Sequence, residues 1–287
     1  MQKLDAGDKV KIFTDSQEIE GTFIPSLNQE TAVIKLKSGY NIGIEKKKIR
    51  KIELLQKSKK QEIKSQKISY NKSLKTISIL HTGGTIASSI SYETGGVITR
   101  FTPEEIIAMF PELKEIANIK SRLISNMFSE DMNFNHYNLI AKEIEKELKQ
   151  GSDGIIITHG TDTLGFTSAA LTFILENLSK PVILVASQRS SDRGSTDARL
   201  NLISAANFIA KTDFQDVAIC MHETMSDDSC LIIPSLKTRK MHSSARNAFK
   251  VINDSAIARV GADGNITFLK HHPKKEEKKL ALKLMNP

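Results

Sequence analysis

The stretch Gly154-Ile155-Ile156-Ile157-Thr158, followed at once by His159-Gly160-Thr161-Asp162-Thr163, decides the fold class. A short, unbroken apolar run closed by a glycine-containing turn reads as a strand inside a covered sheet, and Thr163 to Leu178 reads as the helix it feeds. The same alternation extends both ways. Upstream, Asn133 to Gln150 reads as a helix stopped at Gly151, a residue suited to the left-handed cap position. Thr102-Pro103-Glu104-Glu105 opens another helix with a capping box and a proline at its first position. Before that, Thr76-Ile77-Ser78-Ile79-Leu80 is a short buried strand. Downstream come the strand Pro181 to Val185 and the helix Thr196 to Ile209. Strand and helix in turn predict an α/β fold, a doubly wound parallel sheet with helices on both faces.

The first 55 residues read differently. Short β-branched runs at Val10-Phe13, Gly21-Ile24, Thr31-Ile34 and Asn41-Ile44, broken by Asp15-Ser16 and Ser38-Gly39, predict a small β-barrel over 1–55. Residues 56–74 are basic, with few large apolar residues, and read as an exposed linker. The α/β domain is then expected over 75–270, with a charged, helix-like tail over 271–287.

Composition limits the class. In 287 residues, 39% hydrophobic content suffices for a sizeable core, and no run of 18 apolar residues could span a bilayer. The N-terminus offers no apolar stretch for a secretion signal, so a cytoplasmic protein is expected. Cys220 and Cys230 are too few for a disulfide framework and read as core residues. The histidines lack metal-ligand spacing, so no metal is expected. A net charge of +8 favours contact with polyanions such as RNA, or is simply a solvated lysine-rich surface.

In an open α/β sheet ligands sit beyond the carboxyl ends of the strands. Three loops there are unusual: His81-Thr82-Gly83-Gly84-Thr85-Ile86-Ala87-Ser88, His159-Gly160-Thr161-Asp162-Thr163, and Ala186-Ser187-Gln188-Arg189-Ser190-Ser191-Asp192. Hydroxyls converging from separate loops suit acyl transfer. Each also has a plainer reading. The Gly83-Gly84 pair makes a tight turn, Thr161-Asp162 caps the following helix, and His81 and His159 are satisfied structural histidines. A nucleotide-binding glycine loop is absent, since no third glycine or P-loop lysine follows Gly83-Gly84.

Taken together, Thr82-Gly83-Gly84-Thr85-Ile86-Ala87 and His159-Gly160-Thr161-Asp162-Thr163 resemble the two signature motifs of the type I/II L-asparaginase family, in the right order. The resemblance runs from about Lys75 to about Val260 and includes Ser129-Glu130-Asp131-Met132-Asn133, which is similar to the family's substrate-binding loop. It implies Thr85 as nucleophile and Thr161, Asp162 and Lys237 as a proton-handling group. Ser129 and Glu130 would bind the substrate's amino and carboxylate ends, with a backbone N–H near Ala186 or Thr85 at the oxyanion and Tyr92 as a lid.

The N-terminal β-domain, with Asn126 to Met132, Gln188 to Arg193 and Arg239 to Ser244, resembles one branch of that family, the D subunits of archaeal glutamyl-tRNA(Gln) amidotransferases. That implies hydrolysis of glutamine or asparagine, with ammonia passed to a partner, the amidotransferase E subunit, and a homo-oligomer within a heteromeric complex. No cofactor is implied in this chain: the partner would use ATP and Mg and bind tRNA(Gln). The family's smaller C-terminal domain is not evident after Lys237, which suggests a split, truncated or decayed chain. A standalone cytoplasmic L-asparaginase and an inactive RNA- or partner-binding fragment are the alternative expectations.

Overall fold

A computed structural model of the chain describes residues 4, 7–24, 30–36, 41–57, 70–84, 86, 88–90, 97–99, 102–191, 194–272 and 278–286. Two compact units divide it, Met1–Lys64 with Ser89–Ile98, and Ser65–Ser88 with Thr99–Pro287.

In the first unit, β1 (Lys9–Thr14), β2 (Glu18–Ile24), β3 (Thr31–Lys35), β4 (Asn41–Glu45) and β5 (Ile49–Gln56) form one antiparallel sheet in the order β4-β3-β2-β1-β5. β4 and β5 are thus its two edges, yet only the 3-10 turn Lys46–Lys48 joins them. Edges of a flat five-stranded sheet lie about 19 Å apart, farther than so short a connection reaches, so the sheet must roll up as the expected barrel does. Val10, Ile12, Ile19, Ala32, Ile34 and Ile44 fill its interior.

The second unit is built on an eight-stranded sheet that begins with β6 (Thr76–His81). The chain then makes a two-stranded ladder, β7 (Ser88–Ile90) with β8 (Val97–Thr99), most of which groups with the first unit. α1 (Pro103–Met109), α2 (Leu113–Ile116), β9 (Asn118–Leu123), α3 (Phe134–Lys149), β10 (Gly154–Thr158) and α4 (Leu164–Ile174) follow. Then come β11 (Leu175–Glu176), β12 (Val182–Val185), α5 (Ala198–Lys211), β13 (Val217–His222) and β14 (Ser229–Pro234). The chain continues through β15 (Thr238–Lys240), β16 (Phe249–Val251), β17 (Ala258–Gly261), β18 (Ile266–Phe268) and β19 (Ala281–Leu282). The large sheet runs β18-β17-β14-β13-β12-β10-β6-β9, parallel from β13 to β9.

Strand periodicity explains why the deciding run is apolar throughout. Ile155 and Ile157 pack on one face with α3 and α4, while Ile156 packs on the other with α5. Successive side chains point to opposite faces, and both faces are covered. The helix signals hold: Thr102 and Glu105 form a reciprocal capping box with Pro103 in the first turn, and Gly151 takes a φ of 85° just past α3.

Three departures are tertiary. β14, β17 and β18 run antiparallel, so the sheet is mixed. Between His222 and Ser229 lies only a short turn, which can make a hairpin but no crossover. α4 stops at Ile174 instead of reaching Leu178, because Leu175–Glu176 pairs antiparallel with Ala281–Leu282. That pairing also overrides the helix expected in the tail, whose described part, 278–286, holds the short strand Ala281–Leu282 and no helix: Lys283 donates its N–H to the Ile174 carbonyl, and Asn138 exchanges two bonds with the Met285 backbone. Among the described residues no helix is long and apolar enough to cross a membrane.

Candidate active site

The five parallel strands, in chain order β6, β9, β10, β12 and β13, lie as β13-β12-β10-β6-β9. Strand order therefore reverses between β6 and β10, and crevices for ligands open beyond the carboxyl ends at such a switch point. The loops leaving β6, β10 and the neighbouring β9 meet there. Thr82 donates both its N–H (3.1 Å) and its hydroxyl (3.0 Å) to the Thr158 carbonyl, and Met127 donates its N–H to the Thr82 carbonyl (3.2 Å).

The glycine pair makes this approach possible. Gly83 (φ 122°) and Gly84 (φ 82°) occupy backbone conformations that disfavour a side chain. A Cβ on Gly83 would lie 2.3 Å from the Met127 carbonyl oxygen, and one on Gly84 would lie 2.9 Å from the Gly160 nitrogen. Gly160 is pressed against Ser129, whose Oγ would stand 2.8 Å from an added Cβ. Buried Ser129 opens the 3-10 turn Ser129–Asp131, and its carbonyl accepts the Thr163 hydroxyl at 2.7 Å. Its own hydroxyl donates to exposed Glu130 at 3.2 Å. Ala186 is fully buried one residue beyond the registered pair Thr158↔Val185, with its carbonyl held by Asn201 Nδ2 at 2.9 Å.

Thr161 and Asp162 do not cap α4. Its cap residue is Thr163, with no side-chain capping bond. Their side chains meet Lys240 instead: Nζ donates to Thr161 Oγ1 and to Asp162 Oδ1, each at 2.8 Å. The Lys240 side chain is 15% exposed, so this contact is shielded on the lysine side.

Lys237, expected in that position, is elsewhere. It ends the 3-10 turn Ser235–Lys237, is exposed, and adds its charge to the groups that hold the Asp254 carboxyl below its usual range, foremost the Lys270 hydrogen bond. Alternation along β15 explains the correction: Thr238 and Lys240 share the inner face while Arg239 points outward and is exposed. Three basic residues within four positions could not be separated by spacing alone. Thr85 and Tyr92 lie outside the described residues.

Residues 76–274 match the family Asparaginase, N-terminal, and residues 4–55 match the GatD N-terminal domain. The glutamyl-tRNA(Gln) amidotransferase D subunit of Pyrococcus furiosus is 49% identical over 276 residues, which span 93% of this chain and 63% of that protein. The D subunit of Methanococcus maripaludis (strain DSM 14266) is 42% identical over 99% of this chain and 68% of its own length. The chain belongs to the asparaginase family, in its amidotransferase D-subunit branch. It spans about two thirds of the length of these relatives. Among solved structures, the thermostable L-asparaginase from Thermococcus kodakarensis superposes with a TM-score of 0.61 at 28% identity, covering 72% of this chain and 60% of that one. L-asparaginase I from Vibrio cholerae gives 0.64 at 28%, covering 75% and 62%.

Within this family frame the two motif histidines act as fixed struts. His81 bonds Thr158 Oγ1 (2.7 Å) and Ser121 Oγ (2.9 Å), while His159 bonds the Gly160 carbonyl (2.7 Å) and Thr167 Oγ1 (2.9 Å). Burial pushes their pKa values from 6.5 down to about 3 and about 4, so both rings are neutral near pH 7. A group depressed in this way contributes stability that is complete above pH 6.5 and is lost as pH falls toward the folded-state value. Urea unfolding should therefore show each histidine costing about 2 kcal/mol by pH 5 relative to pH 7.5, and His159→Gln should remove its share of that slope.

Proposed function

We propose that the chain is the amide-hydrolysing subunit of a tRNA-dependent amidotransferase, a cytoplasmic protein that frees ammonia from glutamine. The observation that carries this reading is the Lys240 ammonium resting on both Thr161 Oγ1 and Asp162 Oδ1 at 2.8 Å, at the sheet's switch point. The D-subunit relatives and the N-terminal domain match favour the amidotransferase over a standalone asparaginase.

A threonine hydroxyl is a weak nucleophile and needs a neighbouring group to move its proton. Thr85 attacks the side-chain carbonyl carbon, its oxygen forming the new bond while its proton replaces the one that the Lys240 ammonium passes on through Thr161. Because Lys240 donates to Thr161, the Thr161 hydroxyl hydrogen is free to point at the amide nitrogen. A proton passed from Lys240 through Thr161 lets that nitrogen leave as ammonia, and water then cleaves the acyl-threonine ester. Asp162 keeps the Lys240 side chain in place while the proton is given up and regained. N–H groups of the Gly83–Thr85 or Ala186 loop face the oxyanion, and Tyr92 closes over the substrate. The ammonia passes to the E subunit of the amidotransferase, which binds tRNA(Gln), activates its glutamate with ATP and Mg, and forms glutamine on the tRNA. This chain is a homo-oligomer within that heteromeric complex.

The test is ammonia release from glutamine by the chain, alone and with the E subunit added. Turnover lost in Thr161→Val and Thr85→Ala supports the reading; no release under either condition opposes it. Ser129→Ala and Glu130→Ala should each raise KM about tenfold with kcat within about threefold, because they grip the end of the amino acid that does not react.

A further inference from the structure

A polar chain, buried except at Asp227, runs from the third loop to the Lys240 hairpin. Fully buried Asp197, at the N-terminal end of α5, accepts the Ser187 hydroxyl (2.9 Å) and the N–H groups of Gln188 and Arg189 (3.0 Å each). One turn later, Asn201 points Nδ2 at the Ala186 carbonyl (2.9 Å) and at Asp197 (3.4 Å). Two acceptors on that side fix the amide's orientation, so Oδ1 faces the other way and meets His222 Nδ1 at 2.7 Å. Nδ1 must therefore carry a proton. The other ring nitrogen, Nε2, lies 3.0 Å from Asp227 Oδ1, a second acceptor. With its side chain fully buried and both nitrogens facing acceptors, His222 is satisfied only as the imidazolium.

Arg246 carries the chain onward. Nη1 donates to the same Asp227 oxygen (3.0 Å) and to the Met225 carbonyl (3.2 Å), and Nη2 donates to the Ser195 carbonyl (2.6 Å). Its side chain is 11% exposed and lies in the loop between β15 and β16, the hairpin that presents Lys240. Asp227, 61% exposed, is the partner that can turn to water.

We propose that His222 is a positioning residue: its two N–H bonds, through Asp227 and Arg246, hold the β15–β16 hairpin where Lys240 reaches Thr161. The catalytic consequence rests on the amidase reading above; the coupling itself does not. A neutral ring keeps Nδ1–H on buried Asn201 and releases Asp227, which loosens Arg246.

The groups facing the ring are Asp197 and Asn201 from α5, Asp227 from the β13–β14 turn, Arg246 from the hairpin beyond it, and the sulfurs of Cys230 on β14 and Cys220 on β13. Cys230 Sγ lies 3.3 Å from Asn201 Oδ1 and 3.9 Å from Nδ1. Burial works against the charged ring, but the bond and the charge of Cys230 as a thiolate, with the Asp227 bond and the Asp197 charge, outweigh it, so its pKa lies above the ordinary imidazole value. A raised value means the imidazolium contacts are intact below pH 6.5 and are lost as pH rises through the folded-state pKa.

The experiment follows His222 ring signals and the backbone amides of Lys240 and Thr161 by NMR as pH rises, in the wild-type chain and in His222→Gln and Asp227→Asn. In wild type the two amides should shift with the His222 midpoint. His222→Gln should abolish that shift. Asp227→Asn should move the midpoint down, because an asparagine can donate to a neutral ring while still accepting from Arg246. Ammonia release should fall about tenfold across the wild-type midpoint, the factor matching loss of one charge-assisted hydrogen bond, and Asp227→Asn should displace that limb to lower pH. Amides that ignore the His222 midpoint, or titrate unchanged in Asp227→Asn, overturn the coupling even if His222→Gln fails to fold. Tracked amides without any hydrolysis would sustain the coupling and sink the amidase reading alone.

Discussion

Replacing Lys240 by methionine should lower the rate of ammonia release from glutamine by about 100- to 10,000-fold, the range for removing a positioned proton-transfer group. Lys237→Met should change it by less than about threefold. Methionine keeps the length and apolar stem of lysine, so a mostly buried side chain retains its packing while the two 2.8 Å bonds to Thr161 and Asp162 vanish. Loss should appear in kcat more than in KM. Thr161→Val should cost about as much, and the Thr161→Val/Lys240→Met double variant little more than either alone, because members of one catalytic unit are not additive. Normal turnover by Lys240→Met would return the assignment to another base.

The second large effect is on the loop architecture. Gly83→Ala should destabilise the larger unit by about 4 kcal/mol, lowering its melting temperature by roughly 8–16 °C, and abolish activity. The positive φ by itself accounts for about 1–2 kcal/mol, and the rest comes from a methyl driven to 2.3 Å of the Met127 carbonyl oxygen, which is backbone and cannot rotate away. Gly151→Ala is the control: its φ is also positive at 85°, but nothing lies within 4 Å of the added carbon. Calorimetry of the two variants separates strain from collision. Equal losses would mean that the tight contact between the Gly83 loop and the Met127 loop does not exist in solution.

Family membership was legible in the chain because its carriers are local. Gly83-Gly84 is a pair whose backbone geometry favours glycine, Gly160 stands where an added Cβ would meet Ser129, and Asn133 and Gly151 bracket a helix through bonds to their own neighbours. The rolled N-terminal sheet was legible for a similar reason, since short runs joined by tight turns have few other ways to pair. The end of α4 was not. Leu175 and Glu176 are good helix formers, and what removes them from the helix is a strand more than 100 residues away, at Ala281–Leu282.

The division between sequence and tertiary structure is clearest at Lys240. By itself the sequence determined the strand and helix alternation, the placement of Thr161 and Asp162 on a loop past a buried strand, and the need for a basic residue near them. Only the folded chain decided which of Lys237, Arg239 and Lys240 that residue is. The choice depends on where the Ser235–Lys237 turn hands over to β15 and so on which face each side chain takes. The same holds for His222. Nothing around it in the chain marks it, and its two acceptors come from a helix 21 positions before it and a turn 5 positions after it. Local propensity reads what a residue can do with its neighbours; burial between two acceptors is a property of the assembled sheet.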